Sequence, residues 1–359
     1  MRNVWGRSEE LLQILKSIAP GTELREGLEN ILKARTGALI VLGDSEEVMK
    51  IADGGFKINE DYSPARIYEL AKMDGAIVLS KDAKKILLAN TQLVPDSSIS
   101  TVETGTRHRS GERVAKQTGE MVISISQRRN VITIFKGNMR YIIKDGSKVL
   151  AKANQALQTV ERYKESFDEV ISTLNEFEFE DIVSLENVIR AIQRAELTMR
   201  VVAEVNGYIV ELGDEGRLLD MQLRELSANI EKEELLIIKD YSKAEASAEE
   251  LLDVISEVTH EELMDISVLA KYLGYTVETS LDDIEVATRG YRLLNKIPKT
   301  PITIIDNIVK KIGNFQHIVR ASIEELDDIE GIGEFRAKNI KQGIKRLQEQ
   351  AIYESRYFR

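Results

Sequence analysis

The sequence predicts three parts: an α/β domain on a mixed sheet, an all-α helical spine, and a small C-terminal domain of short helices. Three observations carry this. First, β-branched runs alternate with amphipathic helical stretches only as far as about residue 148. Second, strand signals stop beyond Val149, and apolar residues then recur at steps of three and four. The five prolines stand at 20, 64, 95, 298 and 301, so nothing breaks the chain between Asp96 and Ile297 on that account. Third, from Pro298 the chain turns to short helices and a Gly331-Ile332-Gly333 turn. The expected boundaries are 1–148, 149–289 and 290–359.

Taken in order, Leu11, Leu12, Leu15 and Ile18, then Leu24, Leu28, Ile31 and Leu32, mark two helices broken at Pro20-Gly21. Ala38–Leu42 is a strand. Ser63-Pro64 offers a cap and a first-turn proline for a helix running to about Lys72. Ala76–Leu79 and Ile86–Leu88 read as strands, and Met121–Ser126 alternates with period two. Val131–Phe135 and Met139–Ile143 form a hairpin around Lys136-Gly137-Asn138. Further on, helical stripes run through Leu150–Leu174, Leu185–Val202 and Leu219–Ile230, with breaks expected near 175–181 and 213–216. In the last part, Ile302–Ile312 is a helix and Ser322-Ile323-Glu324-Glu325 has capping-box spacing. Ala337, Ile340 and Ile344 mark a final helix after the glycines.

Composition narrows the function classes. The chain has 359 residues, 43% of them hydrophobic and 30% charged, which suits ordinary cores and a soluble protein. No apolar run approaches the ~18 residues of a membrane span, and Met1–Glu10 lacks the apolar core of a signal peptide. Cysteine is absent, which excludes disulfides, zinc–thiolate sites and Cys nucleophiles. A cytoplasmic protein with no membrane association is expected. The net charge of −11 is divided unevenly. Residues 290–359 carry thirteen Lys/Arg against nine Asp/Glu, a net of +4, leaving −15 on the remainder. A basic end on an acidic body suggests an attached nucleic-acid module.

The densest chemistry lies in Thr104-Gly105-Thr106-Arg107-His108-Arg109-Ser110. Arg is a planar fork suited to phosphate oxygens, and Gly lets backbone approach an anion closely. Ser110 is placed to cap a helix through Gly111–Lys116, whose N-terminus would add free N–H donors. An arbitrary basic triplet is more often a solvated turn. A second element upstream, Asp74-Gly75-Ala76 before the strand Ile77-Val78-Leu79, changes that balance, although Asp-Gly alone is a common turn.

Together these two segments resemble the signature motifs, DGA and RHR, of the diadenylate cyclase domain. The stretch Ala89–Asp96 between them is similar as well. The C-terminal Gly331-Ile332-Gly333, followed by Ala337 and Ile340, resembles the helix-hairpin-helix DNA-binding motif. All three parts taken together resemble the DNA-scanning members of that cyclase family.

The resemblance implies an enzyme that joins two ATP molecules into cyclic di-AMP and releases two pyrophosphates. It implies Asp74 as the catalytic carboxylate and ligand of a divalent metal, Mg²⁺ or Mn²⁺. Arg107, His108 and Arg109 would hold phosphates, with hydroxyl contacts from Thr106, Ser110 and Ser126. Gly75, Ala76 and Leu93 would shape the nucleotide pocket, and Arg128 is a further phosphate candidate. Gln127-Arg128 stands where other members have a Ser-Glu-Glu sequence, leaving a second metal carboxylate open. Gly331, Ile332, Gly333, Lys338 and Lys341 are the expected DNA contacts, made to backbone, with branched or damaged DNA regulating the cyclase. The twofold product implies face-to-face cyclase domains, and the family implies a homo-octamer. The alternative is a DNA-binding scaffold with a non-catalytic ATP-sensing domain; Asp74 speaks against it, since a sensor needs the arginines but no metal carboxylate.

Overall fold

A computed structural model describes residues 9–357. The start of the N-terminal stretch, read above as lacking a leader, lies outside those residues. The described chain falls into two compact units, one of residues 9–152 with 208–217, the other of residues 153–207 with 218 onward.

The first unit opens with α1 (Glu9–Ser17) and α2 (Glu23–Lys33) on either side of the expected Pro20-Gly21 break. Thr22 caps α2 by accepting the Arg25 N–H at 3.2 Å. β1 (Ala38–Leu42) follows, then α3 (Glu46–Ile51), β2 (Ala52–Asp53) and β3 (Phe56–Asp61), three pieces the periodicity did not show. α3 and β2 are too short for a pattern, and β3 is largely exposed, so alternation is lost. α4 (Pro64–Leu70) begins as expected, with Ser63 accepting from the Arg66 N–H at 3.2 Å. β4 (Ala76–Leu79), β5 (Lys85–Leu93), α5 (Thr106–Thr118), β6 (Met121–Ser126), β7 (Val131–Lys136) and β8 (Met139–Ile142) complete the set.

The sheet order is β2-β5-β4-β1-β6-β7-β8, with β3 also paired to β5. β1 and β4 run parallel and the other pairs antiparallel, so the sheet is mixed as expected. Every residue of β1 is buried because both faces are covered. Ala38, Ile40 and Leu42 join Leu28, Ile31 and Ile67 from α2 and α4. Leu39 and Val41 face the other way, onto Val114 and Ala115 of α5. Gly111 allows α5 to come close: a Cβ there would lie 3.1 Å from the Leu39 side chain.

The second unit is helical. α6 (Gly146–Glu180), whose first turns belong to the first unit, and α7 (Leu185–Leu212) are the long stripes. The break expected across 175–181 falls only at its end. Residues 175–180 stay helical because Glu178 is buried in place and nothing there disfavours a helix; Asp181, at φ +61, makes the turn. A 3₁₀ turn at Gly213–Gly216 precedes α8 (Arg217–Ser227). The helices continue as α9 (Ile230–Tyr241), α10 (Ala248–Glu257), α11 (His260–Met264) and α12 (Ile266–Tyr272). Their core runs through Leu185, Ile192, Ile237, Leu251 and Leu269.

The C-terminal segment holds α13 (Tyr291–Asn295), α14 (Ile302–Ile312), α15 (Phe315–Arg320), α16 (Ile323–Asp327) and α17 (Glu334–Tyr357). It repeats itself: residue n of the first half matches residue n + 32 of the second. α13 matches α16, and α14 and α17 start in register. Buried Leu294, Ile297 and Ile308 match Leu326, Ile329 and Ile340, and left-handed Lys299 matches left-handed Gly331. The capping box at Ser322 forms as expected, with Glu325 answering the Ser322 N–H at 2.7 Å.

Candidate active site and hairpin

Parallel β1 and β4 begin at the end of the sheet where antiparallel β6 finishes, since Ile40 pairs with both Ile77 and Ile123. That end gathers Gly37, Asp74 and Ser126. α5 starts there too, but not as expected. Its N-cap is Gly105, so Thr106 to Ser110 form its first turns and Ser110 caps nothing. The physical reason lies in the segment Thr101–Gly105, which is fixed from α5 itself. Buried Glu112 accepts the Thr101 hydroxyl at 2.5 Å and the Val102 N–H at 3.2 Å. Arg140 donates to buried Glu103 at 2.6 Å. These ties deliver Gly105 at the helix start, and its cap position has no side-chain acceptor. The first N–H groups of α5 are therefore not used by a cap.

Thr106, Arg107, His108, Ser126 and Arg128 line one open cavity of about 500 Å³ with Gly105, Ile125 and Gln127. Arg107 reaches out of it toward Asp74, its Nη2 3.5 Å from Oδ1. The guanidinium has this path because residue 37 is glycine; a Cβ there would sit 2.3 Å from Arg107 Nη1. The Asp74 carboxylate is fully exposed. Gly75 and Ala76 follow it into β4, with Ala76 buried beneath. Leu93 ends β5 at this same end of the sheet, just beyond the Thr91–Ala76 pair; it pairs with Ala52 and is buried. Arg109 is exposed and Ser110 half-buried; neither lines the cavity.

His108 stands apart from its two arginine neighbours. Its ring is 6% exposed, packs edge-on to Phe135, and sets Nδ1 3.2 Å from the buried Ser124 hydroxyl. Burial lowers its pKa, and Arg129, Arg140 and Arg107 lower it further against the pull of Glu103. It is a neutral imidazole at neutral pH. Glu112 shows the opposite balance: burial pushes its carboxyl up, but hydrogen bonds from Lys116 and Thr101 hold it below the usual range.

No group of three or more His, Cys, Asp or Glu among the described residues forms a metal cage. A single exposed carboxylate beside a phosphate-sized basic cavity fits a hard divalent ion of another kind. Such an ion takes one or two protein carboxylates and completes its shell from substrate phosphates and water. A larger cavity of about 640 Å³ lies between α2 and the β7–β8 pair. Of its four cations Arg25 and Lys33 are paired with Glu29 and Lys144 lies over the Tyr141 ring, and none of the residues of the two motif segments lines it.

In the second unit, Gly331 turns the chain at φ +81 and buried Ile332 pins the turn. A Cβ on Gly333 would meet nothing within 4 Å, so this backbone is open on its outer side. Lys338 is paired with Glu334 at 2.5 Å, and Lys341 donates to the Val319 carbonyl at 2.8 Å. The turn is thus presented by its glycines, while both lysines already have partners within the fold. Arg336, not singled out from sequence, donates to the Gly331 carbonyl.

Residues 25–140 match the family described as the DisA bacterial checkpoint controller nucleotide-binding domain, and residues 143–282 match its linker region. The DNA integrity scanning protein DisA of Acetivibrio thermocellus is 55% identical over 351 residues, covering 98% of each chain. That of Clostridium botulinum, strain Loch Maree, is 54% identical over 346 residues, covering 96% of this chain and 98% of its own. The chain belongs to the DisA family. It is a diadenylate cyclase, with a nucleotide-binding mixed-sheet domain at the N-terminal side and helices after it. As a DisA-family cyclase it requires a divalent metal, consistent with the lone carboxylate described above. No helix among the described residues is long and apolar enough to cross a membrane. Three supports of the site escaped the sequence reading: Gly37, Glu103 and Glu112. Only Glu112 had a signal, its i,i+4 pairing with Lys116.

Proposed function

We propose that the cavity at the start of α5 binds the ATP phosphates and that Asp74, across Arg107, serves the attacking hydroxyl. The observation that carries this is the Arg107 guanidinium, which lines the cavity and faces Asp74 at the same time. Bound Mg²⁺ or Mn²⁺ supplies Lewis-acid stabilisation of charge on the α-phosphate. Asp74 holds that ion and orients the 3′-hydroxyl of the second nucleotide, whose proton it helps remove. Arg107, with the free N–H groups of α5 and the hydroxyls of Thr106 and Ser126, neutralises the phosphate oxygens as pyrophosphate leaves. Arg109 and Arg128 add positive potential around the mouth. His108, neutral and buried, supports the helix start from beneath and meets phosphate at most through its edge. Gly75, Ala76 and Leu93 form the apolar side on which the adenosine rests, and Ser110 completes the first turns of α5.

One chain offers one half-site. Two cyclase domains meeting face to face would bring two nucleotides together antiparallel, in keeping with the symmetry of the product, and a homo-octamer would hold such pairs. The three-part division at 148 and 289 places the DNA end after the spine. There Gly331 and Gly333 present N–H groups to a DNA phosphate at the start of α17, with Lys338 and Lys341 near, while Ile332, whose own N–H is held by the Ile329 carbonyl at 3.0 Å, anchors the turn between them. The names of the relatives above, DNA integrity scanning proteins, support DNA as the partner; branched or damaged DNA as the preferred form is part of the proposal. A cytoplasmic setting follows from substrate and DNA alike.

The deciding experiment separates product formation from ATP binding. Asp74→Asn should abolish cyclic di-AMP, measured by mass spectrometry with ATP and Mg²⁺ or Mn²⁺, while ATP binding survives. Turnover within about tenfold of wild type, roughly 1.4 kcal/mol of barrier, would remove Asp74 from the mechanism.

A further inference from the structure

β5 contains a residue that no regular strand accommodates. Asn90 sits near its end with φ +52, the strained left-handed region that a non-glycine residue seldom occupies. At the same place the pairing with β4 slips. Ala76 pairs with Thr91 and Val78 with Leu88, so β5 carries one residue more than β4 between these pairs. This is a β-bulge, a feature that re-aims side chains next to active sites.

The bulge is gripped on two sides by glycines. A Cβ on Gly75 would fall 2.4 Å from the Asn90 carbonyl carbon, and one on Gly55 would fall 2.9 Å from the same atom. Gly55, at φ +79, approaches from the turn between β2 and β3. Thr91 adds a further tie, donating to the carbonyls of Asp53 at 3.0 Å and Gly54 at 3.2 Å. Within this clamp the Asn90 Oδ1 accepts the Gly75 N–H at 3.1 Å. That N–H belongs to the peptide joining Asp74 to Gly75. Asp74 itself has no packing around its carboxylate, which is fully exposed; Arg107 at 3.5 Å is its ion-pair partner. The peptide after it is therefore the point at which the fold can fix its direction.

We propose that Asn90 is the positioning residue of the cyclase reaction, its left-handed backbone turning the amide onto Gly75 N–H and thereby aiming Asp74. The inference rests on Asp74 acting as proposed above. It explains why the strain is kept: Asn tolerates the left-handed region better than other side-chain residues and also brings an acceptor, whereas Gly would offer the conformation without the acceptor.

The test uses the full chain and three variants, Asn90→Gly, Asn90→Asp and Asp74→Asn. Cyclic di-AMP formation is followed by mass spectrometry over a range of ATP, beside thermal melting. Asn90→Gly should melt at or above the wild-type temperature, because glycine accepts φ +52 without strain. Its kcat should nevertheless fall about tenfold or more while KM moves by less than about threefold, since a misaimed group costs rate and not ground-state binding. Asn90→Asp, which retains an acceptor, should bring kcat back to within about threefold of wild type. A wild-type kcat in Asn90→Gly, with Asp74→Asn inactive, would overturn the positioning role and leave Asp74 in place. Normal turnover in Asp74→Asn would remove both. Should Asn90→Gly fail to fold, Asn90→Asp decides: a folded protein with kcat down about tenfold or more overturns the proposal, and near-normal kcat supports it.

Discussion

A guanidinium is a planar fork that works only if it has room to lie flat against its targets, and Gly37 gives Arg107 that room. Gly37→Ala puts a methyl 2.3 Å from Nη1, the far end of a flexible side chain. The arginine can swing away at little cost, so the melting temperature should stay near wild type. Turnover should fall, by about tenfold or more if the phosphate clamp shifts by of order 1 Å, as steady-state cyclic di-AMP synthesis would reveal. His108 gives a prediction in pH. Its folded-state pKa is depressed by burial, below that of the unfolded chain. The unfolded state therefore binds the extra proton first. Stability from this residue is intact above about pH 6.5, the unperturbed value. It is lost as pH falls below that, with a slope of at most about 1.4 kcal/mol per pH unit. His108→Asn should flatten the melting temperature of the cyclase unit between about pH 7.5 and 5.5; an unchanged slope would show that other groups set it.

At the scale of elements, α13 is too short to hold itself and is fixed by charge. Buried Asp240 accepts the N–H groups of Tyr291 at 2.7 Å and Arg292 at 2.9 Å, capping the helix. Burial and the nearby Glu178 push the Asp240 carboxyl up to about 7. Arg292 is fully buried and donates to Asn175 at 2.7 Å, to Glu233 at 2.9 Å and to Glu178. Tyr241 donates to the other Glu178 oxygen at 2.6 Å. Removing the guanidinium leaves the fully buried Glu178 without its cation, while Glu233 keeps Lys296 at 3.1 Å; the loss is about 3–5 kcal/mol for a broken buried pair. Arg292→Ala should lower the melting temperature of the helical unit strongly. Arg292→Lys should not restore it, because an ammonium cannot serve three acceptors arrayed around a planar fork. A variant melting like wild type would refute the anchoring role. The network also bears on truncation: cutting at residue 290 removes Arg292 and strands Glu178 and Asp240, so the hairpin is better tested by point substitution.

For the whole molecule the question is whether DNA at the hairpin slows the cyclase. Gly331→Ala imposes a side chain at φ +81 and a Cβ 2.8 Å from Ile304 Cδ1, which disturbs the turn that would carry the phosphate. Binding of branched DNA should weaken in this variant, and in the wild type should fall steeply with salt as counterions are released. Initial rates at saturating ATP, with and without linear and branched DNA, should show inhibition of the wild type that Gly331→Ala relieves. Equal inhibition of both proteins would mean that DNA competes directly at the basic mouth beside α5. Unchanged rates with DNA demonstrably bound would rule out coupling between the two ends.

Local chemistry determined much of this protein. Ser63-Pro64 and the Ser322 capping box announced their helices because a cap is a contact within four residues. Strands β1 and β4 were legible as short apolar runs because both their faces are buried, and the long stripes of α6 and α7 because burial on one face imposes a period. Asp74 and the Arg107 segment drew notice as dense polar chemistry in few positions. Only the tertiary structure decided what those positions do. It started α5 at Thr106 rather than beyond Ser110, through ties from Glu112 and Arg140 that join residues ten to thirty-seven apart. It turned His108 inward to Ser124 and brought Arg107 to Asp74, 33 residues away. It also gave Arg292 its acceptors at a distance of 59 to 117 residues, beyond any local pattern. Periodicity and caps record what a residue does for its own element; the direction of a charged side chain is set by partners that folding brings from elsewhere.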